Sequence, residues 1–311
     1  MARNKAENHS RTEAPRGRTA LRVLKAIALC VALSGAAWGY VRVRNYVETT
    51  LVYPRSIPEV RLANRPAWMS DALAGQIAAS VRPAHISPAT DGLLLQEVAS
   101  RLSRNPWVRL VRQVRRLYVD SPGDTIEIDC EYRTPTALVA SRGQYILVDG
   151  EGVRLPEQVP AAELPRLMFS ADGRVIIRII EGVAALPPYQ PGEKWVGDDL
   201  QAGLDLAKLL YGRAVAEDVY RINVANFRGR RNARDPQIVL VTRYGTEVRW
   251  GEPVRQTFHA ELSPVEKMER MARILKQYGR IDAGRPWIDI RLEKVLCPRD
   301  EDSMVQAMPG R

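Results

Sequence analysis

The sixteen residues from Ala26 to Val41 carry no charged side chain, and no other stretch constrains the chain as strongly. As a helix with a rise of about 1.5 Å per residue, the stretch is a few ångströms shorter than a hydrocarbon core of about 30 Å. The flanking Lys25 and Arg42 can lift their charges to the lipid headgroups. The stretch therefore predicts one transmembrane helix at residues 26–43. A buried core helix and a cleaved signal peptide are the alternatives.

The segment before this stretch, residues 1–25, is basic and holds only two acidic side chains, Glu7 and Glu13. Its other residues are largely small or polar, so it cannot bury a core and is predicted to be disordered. Basic segments next to a membrane span stay on the cytoplasmic side. The charge pattern therefore predicts a single-pass protein of the cytoplasmic (inner) membrane whose N-terminus is cytoplasmic and whose C-terminal part is periplasmic or extracytoplasmic.

The composition fits an ordinary folded domain beyond the span, because 45% of the 311 residues are hydrophobic. The formal charge is +10, and residues 1–25 supply seven positive charges less two negative ones, or +5, which leaves +5 for the rest. That modest charge suits a surface near anionic headgroups and does not demand a nucleic acid partner. The arginine-rich stretch 228–234 is interpreted as a solvated hairpin tip instead of a nucleic-acid contact.

No catalytic constellation is recognisable in the sequence. The three histidines lie far apart without metal-ligand spacing, and no phosphate loop, dinucleotide fingerprint or nucleophile elbow is present. Asp149 is explained by a strand-end turn, and Asp198 or Asp199 by helix capping. We therefore expect no enzyme activity, no cofactor and no metal site. The alternative is that the chain is a membrane-anchored enzyme that modifies the cell wall.

After a linker at residues 44–55, the hydrophobic periodicity predicts a compact α+β module of two helices on a small sheet. The elements follow the order strand, helix, helix, strand, strand. They are predicted at Ser56–Leu62, Pro66–Val81, Asp91–Arg104, Trp107–Val119 and Thr125–Val139.

The remainder of the chain predicts a mixed, mostly antiparallel β domain with two packed helices, followed by a flexible tail at residues 297–311. Ser263 and Glu266 form a capping box for the second helix, and Gly279 marks its end. The inward face of that helix is predicted to comprise Val265, Met268, Met271, Leu275 and Tyr278. Helices are predicted at Asp198–Tyr211 and Pro264–Tyr278, and strands at Gln144–Asp149, Arg174–Ile180, Val219–Asn226, Ile238–Trp250 and Trp287–Leu296.

The sequence contains a series of short motifs, namely Asn105-Pro106-Trp107-Val108, Val114-Arg115-Arg116, Thr125-Ile126-Glu127-Ile128, Glu131 to Ala137, Tyr145-Ile146-Leu147-Val148-Asp149 and Glu151-Gly152-Val153. In this order and at these spacings, the series resembles the bacterial cell-division family FtsQ, called DivIB in Gram-positive bacteria. The resemblance implies a POTRA domain at residues 56–133 and an FtsQ-type β domain at 134–296. It also implies a non-catalytic scaffold at the division septum.

The stretch Trp287 to Arg291 resembles the family's near-terminal strand. The resemblance implies that the sheet edge beside it accepts a strand from an FtsB-like partner, which is joined to an FtsL-like protein. In such β-augmentation, main-chain hydrogen bonds supply affinity and side chains set the register. Arg291 is expected to pair with a partner carboxylate, Glu293 and Lys294 to set register, and the last two residues to fill pockets. The predicted partner-binding residues are Arg291, Leu292, Glu293, Lys294, Val295 and Leu296. An ordinary buried last strand without a partner is the alternative.

The resemblance also implies contact between the POTRA domain and an FtsK-like division component. The candidate surface is the edge of the first strand, at Ile57, Glu59, Val60 and Arg61. Pro58 lacks an N–H group, which suits an edge position. A POTRA-containing transport or assembly protein is a further alternative, but too few residues remain to build the long β-barrel that such proteins carry.

Overall fold

The computed structural model describes residues 16–47, 56–117, 119, 123–256 and 261–298. The predicted tail up to residue 15, linker residues 48–55 and tail residues 299–311 lie outside the described residues. By their contacts, the described residues form two compact units. One takes in residues up to Arg61 together with 82–96 and 115–127, and the other takes in 62–81, 97–114 and the chain from Ile128 onward.

Helix α1 spans Arg16–Tyr46 and is longer at both ends than the predicted 26–43. Its part Leu21–Tyr46, 26 residues, is long and apolar enough to cross a membrane, and none of it is buried against the described protein. At 1.5 Å per residue it extends roughly 39 Å, which exceeds a hydrocarbon core. The exposed apolar surface argues against a buried core helix and makes α1 a candidate single membrane span.

The next five elements occur in the predicted order strand, helix, helix, strand, strand, and the three strands form a sheet in the order β1-β3-β2. The elements are β1 (Glu59–Leu62), α2 (Asp71–Ser80), α3 (Gly92–Ser103), β2 (Val108–Leu117) and β3 (Thr125–Tyr132).

Side-chain caps fix where the two helices of this module begin. Helix α2 starts at Asp71 and not at the predicted Pro66, because the Ser70 hydroxyl accepts the Leu73 N–H and caps the helix there. Asp91 caps α3 in the same way by accepting the N–H of Leu93. Local capping chemistry therefore decided boundaries that hydrophobic periodicity alone placed too early.

The second sheet has eight strands in the order β11-β10-β9-β8-β7-β4-β5-β6. Its pairings are antiparallel at β4–β5, β5–β6, β8–β9 and β9–β10, and parallel at β4–β7, β7–β8 and β10–β11, so the predicted mixed sheet is confirmed. The strands are β4 (Pro135–Ser141), β5 (Gln144–Asp149), β6 (Arg154–Val159), β7 (Arg178–Glu181), β8 (Val219–Asn223), β9 (Ile238–Thr242), β10 (Glu247–Gly251) and β11 (Trp287–Asp289).

Several strand predictions differ from the structure. The predicted strand Thr125–Val139 is divided between two sheets, with β3 ending at Tyr132 and β4 beginning at Pro135, whose missing N–H cannot continue a ladder. The predicted strand Arg174–Ile180 is confined to β7, and β6 was not predicted. In contrast, the predicted fold-back within 238–250 is confirmed as the β9–β10 hairpin.

Three helices belong to this part of the chain, namely α4 (Leu164–Met168), α5 (Asp198–Leu210) and α6 (Pro264–Tyr278). The capping box of α6 is confirmed, since Ser263 accepts the Glu266 N–H and Glu266 accepts the Ser263 N–H. Gly279 ends α6 with a positive φ of 72°, the left-handed conformation that favours glycine.

Two predictions about these helices are wrong. Gly197 occupies the N-cap of α5 without a side-chain cap, and Asp199 instead accepts the N–H groups of Ala184 and Leu200. On α6, Val265 and Tyr278 are 65% and 56% exposed and do not belong to the buried face. That face contains Lys267, Met271 and Ile274. Helical spacing predicted which residues of α6 share one side, but the surrounding fold decided which of them are buried.

The core of the eight-stranded sheet lies around α5. Gly203 of α5 permits close approach to the sheet, because a Cβ atom there would lie 2.9 Å from Cγ2 of Ile180. The fully buried apolar side chains on α5 and on the strands of the sheet include Leu200, Leu204, Ile222, Leu240, Val248 and Trp250.

Candidate functional site

The last strand, β11, lies at one end of the eight-stranded sheet and pairs with β10 on its inner side. On its outer side, the Asp289 N–H donates to the Leu296 carbonyl over 2.8 Å, and the Leu296 N–H donates to the Asp289 carbonyl over 3.1 Å. The predicted strand Trp287–Leu296 is therefore a three-residue strand followed by a fold-back, residues 290–298, which we call the return segment. The outer side of β11 is occupied at Asp289 by the chain itself.

Helix α6 and the residues before it hold the return segment in place. The Arg270 guanidinium on α6 donates to the main-chain carbonyls of Leu292 and, over 2.5 Å, Glu293. The Leu262 N–H donates to the Arg291 carbonyl over 2.8 Å. Because these bonds fix three successive carbonyl groups, the return segment has a defined conformation although it is not a strand.

Arg291, predicted to pair with a partner carboxylate, is paired within the chain. Its guanidinium donates to both carboxylate oxygens of Asp289, with 2.7 Å between Nη2 and Oδ2, and lies 3.9 Å from Glu261. Hydrogen bonds to Asp289 and the nearby negative charge raise the pKa of Arg291. A partner carboxylate would thus compete with Asp289, and the expected intermolecular pair stays a prediction.

A buried ion pair between Glu261 and Lys267 lies next to the return segment. Glu261 Oε2 lies 2.7 Å from Lys267 Nζ and accepts the Glu252 N–H over 3.0 Å. The Lys267 side chain is only 2% exposed, and its ammonium lies 5.3 Å from the centre of the Trp250 ring. The sequence analysis missed Lys267, because the six-residue spacing from Glu261 matches no helical pairing rule.

The outer surface of the return segment combines apolar side chains with charges. Leu292, Val295 and Leu296 are 48%, 40% and 49% exposed, and Glu293 and Lys294 are exposed beside them. The N–H of Val295, which directly precedes the self-paired Leu296, donates to no described residue. This surface can donate main-chain hydrogen bonds and offer apolar contacts together.

The second predicted edge is also an edge strand. β1 lies at the end of its sheet, and the Glu59 N–H donates to the Asp124 carbonyl over 2.8 Å. By alternation, the main-chain groups of Val60 point away from β3, whereas Ile57 precedes the strand.

Arg61 of this edge is held by a buried carboxylate. Glu127, whose side chain is 6% exposed, accepts hydrogen bonds from Arg61 over 2.6 Å and from Arg115 over 2.8 Å. The hydrogen bonds from Arg115 and Arg61 lower the pKa of Glu127. The Arg61 guanidinium is therefore oriented by its own chain.

The arginine-rich stretch 228–234, interpreted as a solvated tip, has a structural role. Arg230 lies 2.7 Å from Asp199 and donates to the carbonyl of Val224 over 2.8 Å, and Arg228 lies 2.8 Å from Asp198. These pairs fasten the loop after β8 to the start of α5.

Within the described ranges, no group of three or more His, Cys, Asp or Glu side chains is placed to hold a metal ion. Cys30, Cys130 and Cys297 are free thiols, so Cys130 and Cys297 do not form a disulfide. Burial raises the pKa of Cys130 to about 11, which keeps it in the thiol form at neutral pH.

No protein-family model matches the chain. The chain is similar to the cell division protein FtsQ of Novosphingobium aromaticivorans, with 30% identity over 109 residues. The alignment covers 33% of this chain and 32% of that protein, so the chain matches about a third of the length of this curated relative. Together with the single N-terminal apolar helix, this similarity supports the resemblance to FtsQ drawn from the motifs and fits a role in cell division.

Proposed function

We propose that this chain is a non-catalytic cell-division scaffold of the FtsQ type, anchored by α1 in the inner membrane at the septum. Its N-terminus is cytoplasmic and its folded part extracytoplasmic. Three observations support the proposal, namely the partial similarity to an FtsQ, the apolar helix near the N-terminus, and the strand-helix-helix-strand-strand order expected of a POTRA domain.

The scaffold works by strand addition at the return segment. A strand from an FtsB-like partner, associated with an FtsL-like protein, lies along the outer side of residues 295–297. The observation that carries this proposal is the N–H of Val295, which has no acceptor among the described residues and lies next to the self-paired Leu296. Main-chain hydrogen bonds to such an edge supply affinity without a specific partner sequence.

Side chains around this edge select the partner and its register. Leu292, Val295 and Leu296 offer apolar contacts, while Glu293 and Lys294 disfavour a strand with like charges opposite them. The same exposed charges discourage edge-to-edge pairing between copies of the chain. β1 offers a second, shorter edge for an FtsK-like component, with Val60 as its outward residue.

Replacement of Val295 by proline tests the mechanism. Val295→Pro removes the Val295 N–H but leaves the Leu296 N–H free to bond Asp289, and Val295→Thr keeps both the donor and the side-chain shape as a matched control. We expect V295P to lower the affinity of the full-length protein for an FtsB-like partner by about fivefold or more, the loss of one net hydrogen bond. V295T should bind within about twofold of the wild type by the same scale.

Affinity would be measured by titrating the detergent-solubilised partner complex against the full-length protein in nanodiscs. Equal affinities for V295P and wild type would contradict strand addition at this edge. Failure to recover any small single-span partner from the organism's own membranes would contradict the scaffold role.

A further inference from the structure

A cavity of about 840 Å³ is lined by residues of the eight-stranded sheet and of the last turns of α5, and by none of the return segment. Most of its wall is apolar, and it includes Trp68, Trp107, Leu147, Ile177 and Tyr211. Cavities of this size with a few polar groups in an apolar wall are typical of sites for small organic molecules. The polar groups therefore decide what chemistry the cavity can bind.

Arg178, on β7, is the most unusual of them. It lines the cavity, yet the residue is only 3% exposed. Its Nη2 donates to the Ala216 carbonyl over 2.7 Å, whereas its buried Nε finds no hydrogen-bond acceptor among the described residues. No described carboxylate forms an ion pair with it, although the more distant negative charge of Glu217 also favours its charged form.

Burial lowers the pKa of Arg178 to about 10, so the guanidinium stays charged at neutral pH. A buried cation without an anionic partner is costly to the folded state, and most buried charges are paired for this reason. Because Arg178 lines the cavity, an anion that enters it would place a negative charge beside the guanidinium.

The other charges around the cavity are already engaged. Lys208 donates to the Gly150 carbonyl over 2.5 Å, and Arg166 lies 3.6 Å from Glu163. Glu157 is the acidic side chain of the wall, and it is exposed. Three basic side chains against one acidic one favour an anionic ligand, and Arg178 is the basic group with an unused buried donor.

We propose that this cavity binds an amphipathic carboxylate, with the carboxylate on the Arg178 guanidinium and an apolar body against Trp68, Leu147 and Tyr211. A planar guanidinium matches a carboxylate better than an alkyl ammonium does, because its N–H groups lie in one plane with the two oxygens. The ligand is either a free organic acid or the C-terminus of an apolar peptide, which share this chemistry. The proposal does not depend on a role in cell division.

The test uses the full-length protein in nanodiscs with ¹³C-labelled isoleucine and leucine methyl groups. 4-Phenylbutyrate represents the free acid and N-acetyl-Leu-Phe the peptide C-terminus. 4-Phenylbutan-1-ol and the amide of the same dipeptide are the uncharged controls. We expect saturable shifts of the Ile177 and Leu147 methyl signals with at least one acid and not with its uncharged control.

The acid that binds more tightly identifies the source of the ligand. Absence of saturable shifts with both acids at about 10 mM, the range of very weak binding, would overturn the proposal. Equal binding of an acid and its uncharged control would overturn the role of Arg178.

Two arginines of the same cavity give a matched pair of variants. Arg178→Met should weaken acid binding by about tenfold or more, the loss expected for a charge-assisted hydrogen bond. Arg166→Met, which removes an exposed and already paired arginine, should bind as the wild type does. Equal loss in both variants would show general charge attraction and contradict a specific site.

A stability measurement separates binding from a structural role. Because Arg178 is buried without a carboxylate, R178M is expected to melt at the same temperature as the wild type or above it. Should R178M fail to fold, Arg178→Lys is the second variant. It keeps the positive charge but lacks the planar guanidinium, and it is expected to bind the acid more weakly than the wild type. Undiminished binding by R178K would contradict the planar carboxylate contact.

Discussion

Asp289 and Leu296 exchange both of their main-chain hydrogen bonds, so the chain pairs with its own last strand seven residues after leaving it. This pair lies where the resemblance to FtsQ places a partner strand. A partner strand has two ways to bind here. It can pair with the return segment and leave the bridge intact, or it can displace Leu296 and pair with β11.

Leu296→Pro distinguishes these two modes. The substitution removes the N–H that bonds Asp289 and releases the return segment from β11. If the partner adds outside residues 295–297, L296P should weaken partner binding, by about fivefold or more for each main-chain bond lost. Tighter binding in the same titration would mean that the partner displaces Leu296 and pairs with β11 directly.

Lys267→Met tests the buried ion pair under the site. The variant leaves Glu261 without its ammonium partner, and removal of one member of a buried pair costs about 3 kcal/mol or more. We expect chemical denaturation of the protein to show this loss. Lys276→Met, on the exposed side of α6, is the control and should change stability by less than about 0.5 kcal/mol. A loss below 1 kcal/mol for K267M, roughly that of a surface pair, would contradict a supporting role.

Glu127→Gln tests the carboxylate that orients Arg61. The pKa of Glu127 is lowered in the folded state by hydrogen bonds from Arg115 and Arg61. Its stabilising contribution is therefore complete above the unfolded pKa, and it is lost as the pH falls through the folded pKa. Thermal unfolding should show E127Q less stable than wild type at pH 7, with the difference shrinking below about pH 4.

The control for this titration is Glu97→Gln, which removes an exposed ion pair to Arg101 within one helix. Such pairs contribute little, so E97Q should match the wild type closely at both pH values. A difference between E127Q and wild type that does not change between pH 7 and pH 3 would contradict the ionised pair.

Cys297 reports the orientation of the protein in the membrane. It is exposed, whereas Cys130 is buried and Cys30 lies in α1. A membrane-impermeant maleimide added to cells with a permeabilised outer membrane should label the wild type and not Cys297→Ser. Labelling only after the inner membrane is lysed would place the C-terminal part in the cytoplasm and contradict the proposed orientation.

Local chemistry allowed much of the fold to be predicted. Ser263, Glu266 and Gly279 define both ends of α6 through contacts within a few residues, and the β9–β10 hairpin follows from apolar strands around Tyr244-Gly245. The strand-helix-helix-strand-strand order was likewise correct. Errors arose where the rest of the fold decided which residues are covered, as at Val265, which helical spacing places inward but which is 65% exposed.

The sequence by itself determined the apolar helix, the α+β composition and the short motifs, because each depends on residues close together in the chain. Only the tertiary structure decided that Leu296 returns to Asp289, that Arg291 is already paired, and that Arg178 is buried without a carboxylate. The pairs of Asp289 are close in sequence, but their geometry depends on distant contacts such as that of Arg270 with the Leu292 carbonyl. Arg178 likewise bonds the distant Ala216 carbonyl. Such contacts depend on how the strands are ordered in space, and local periodicity does not encode that order.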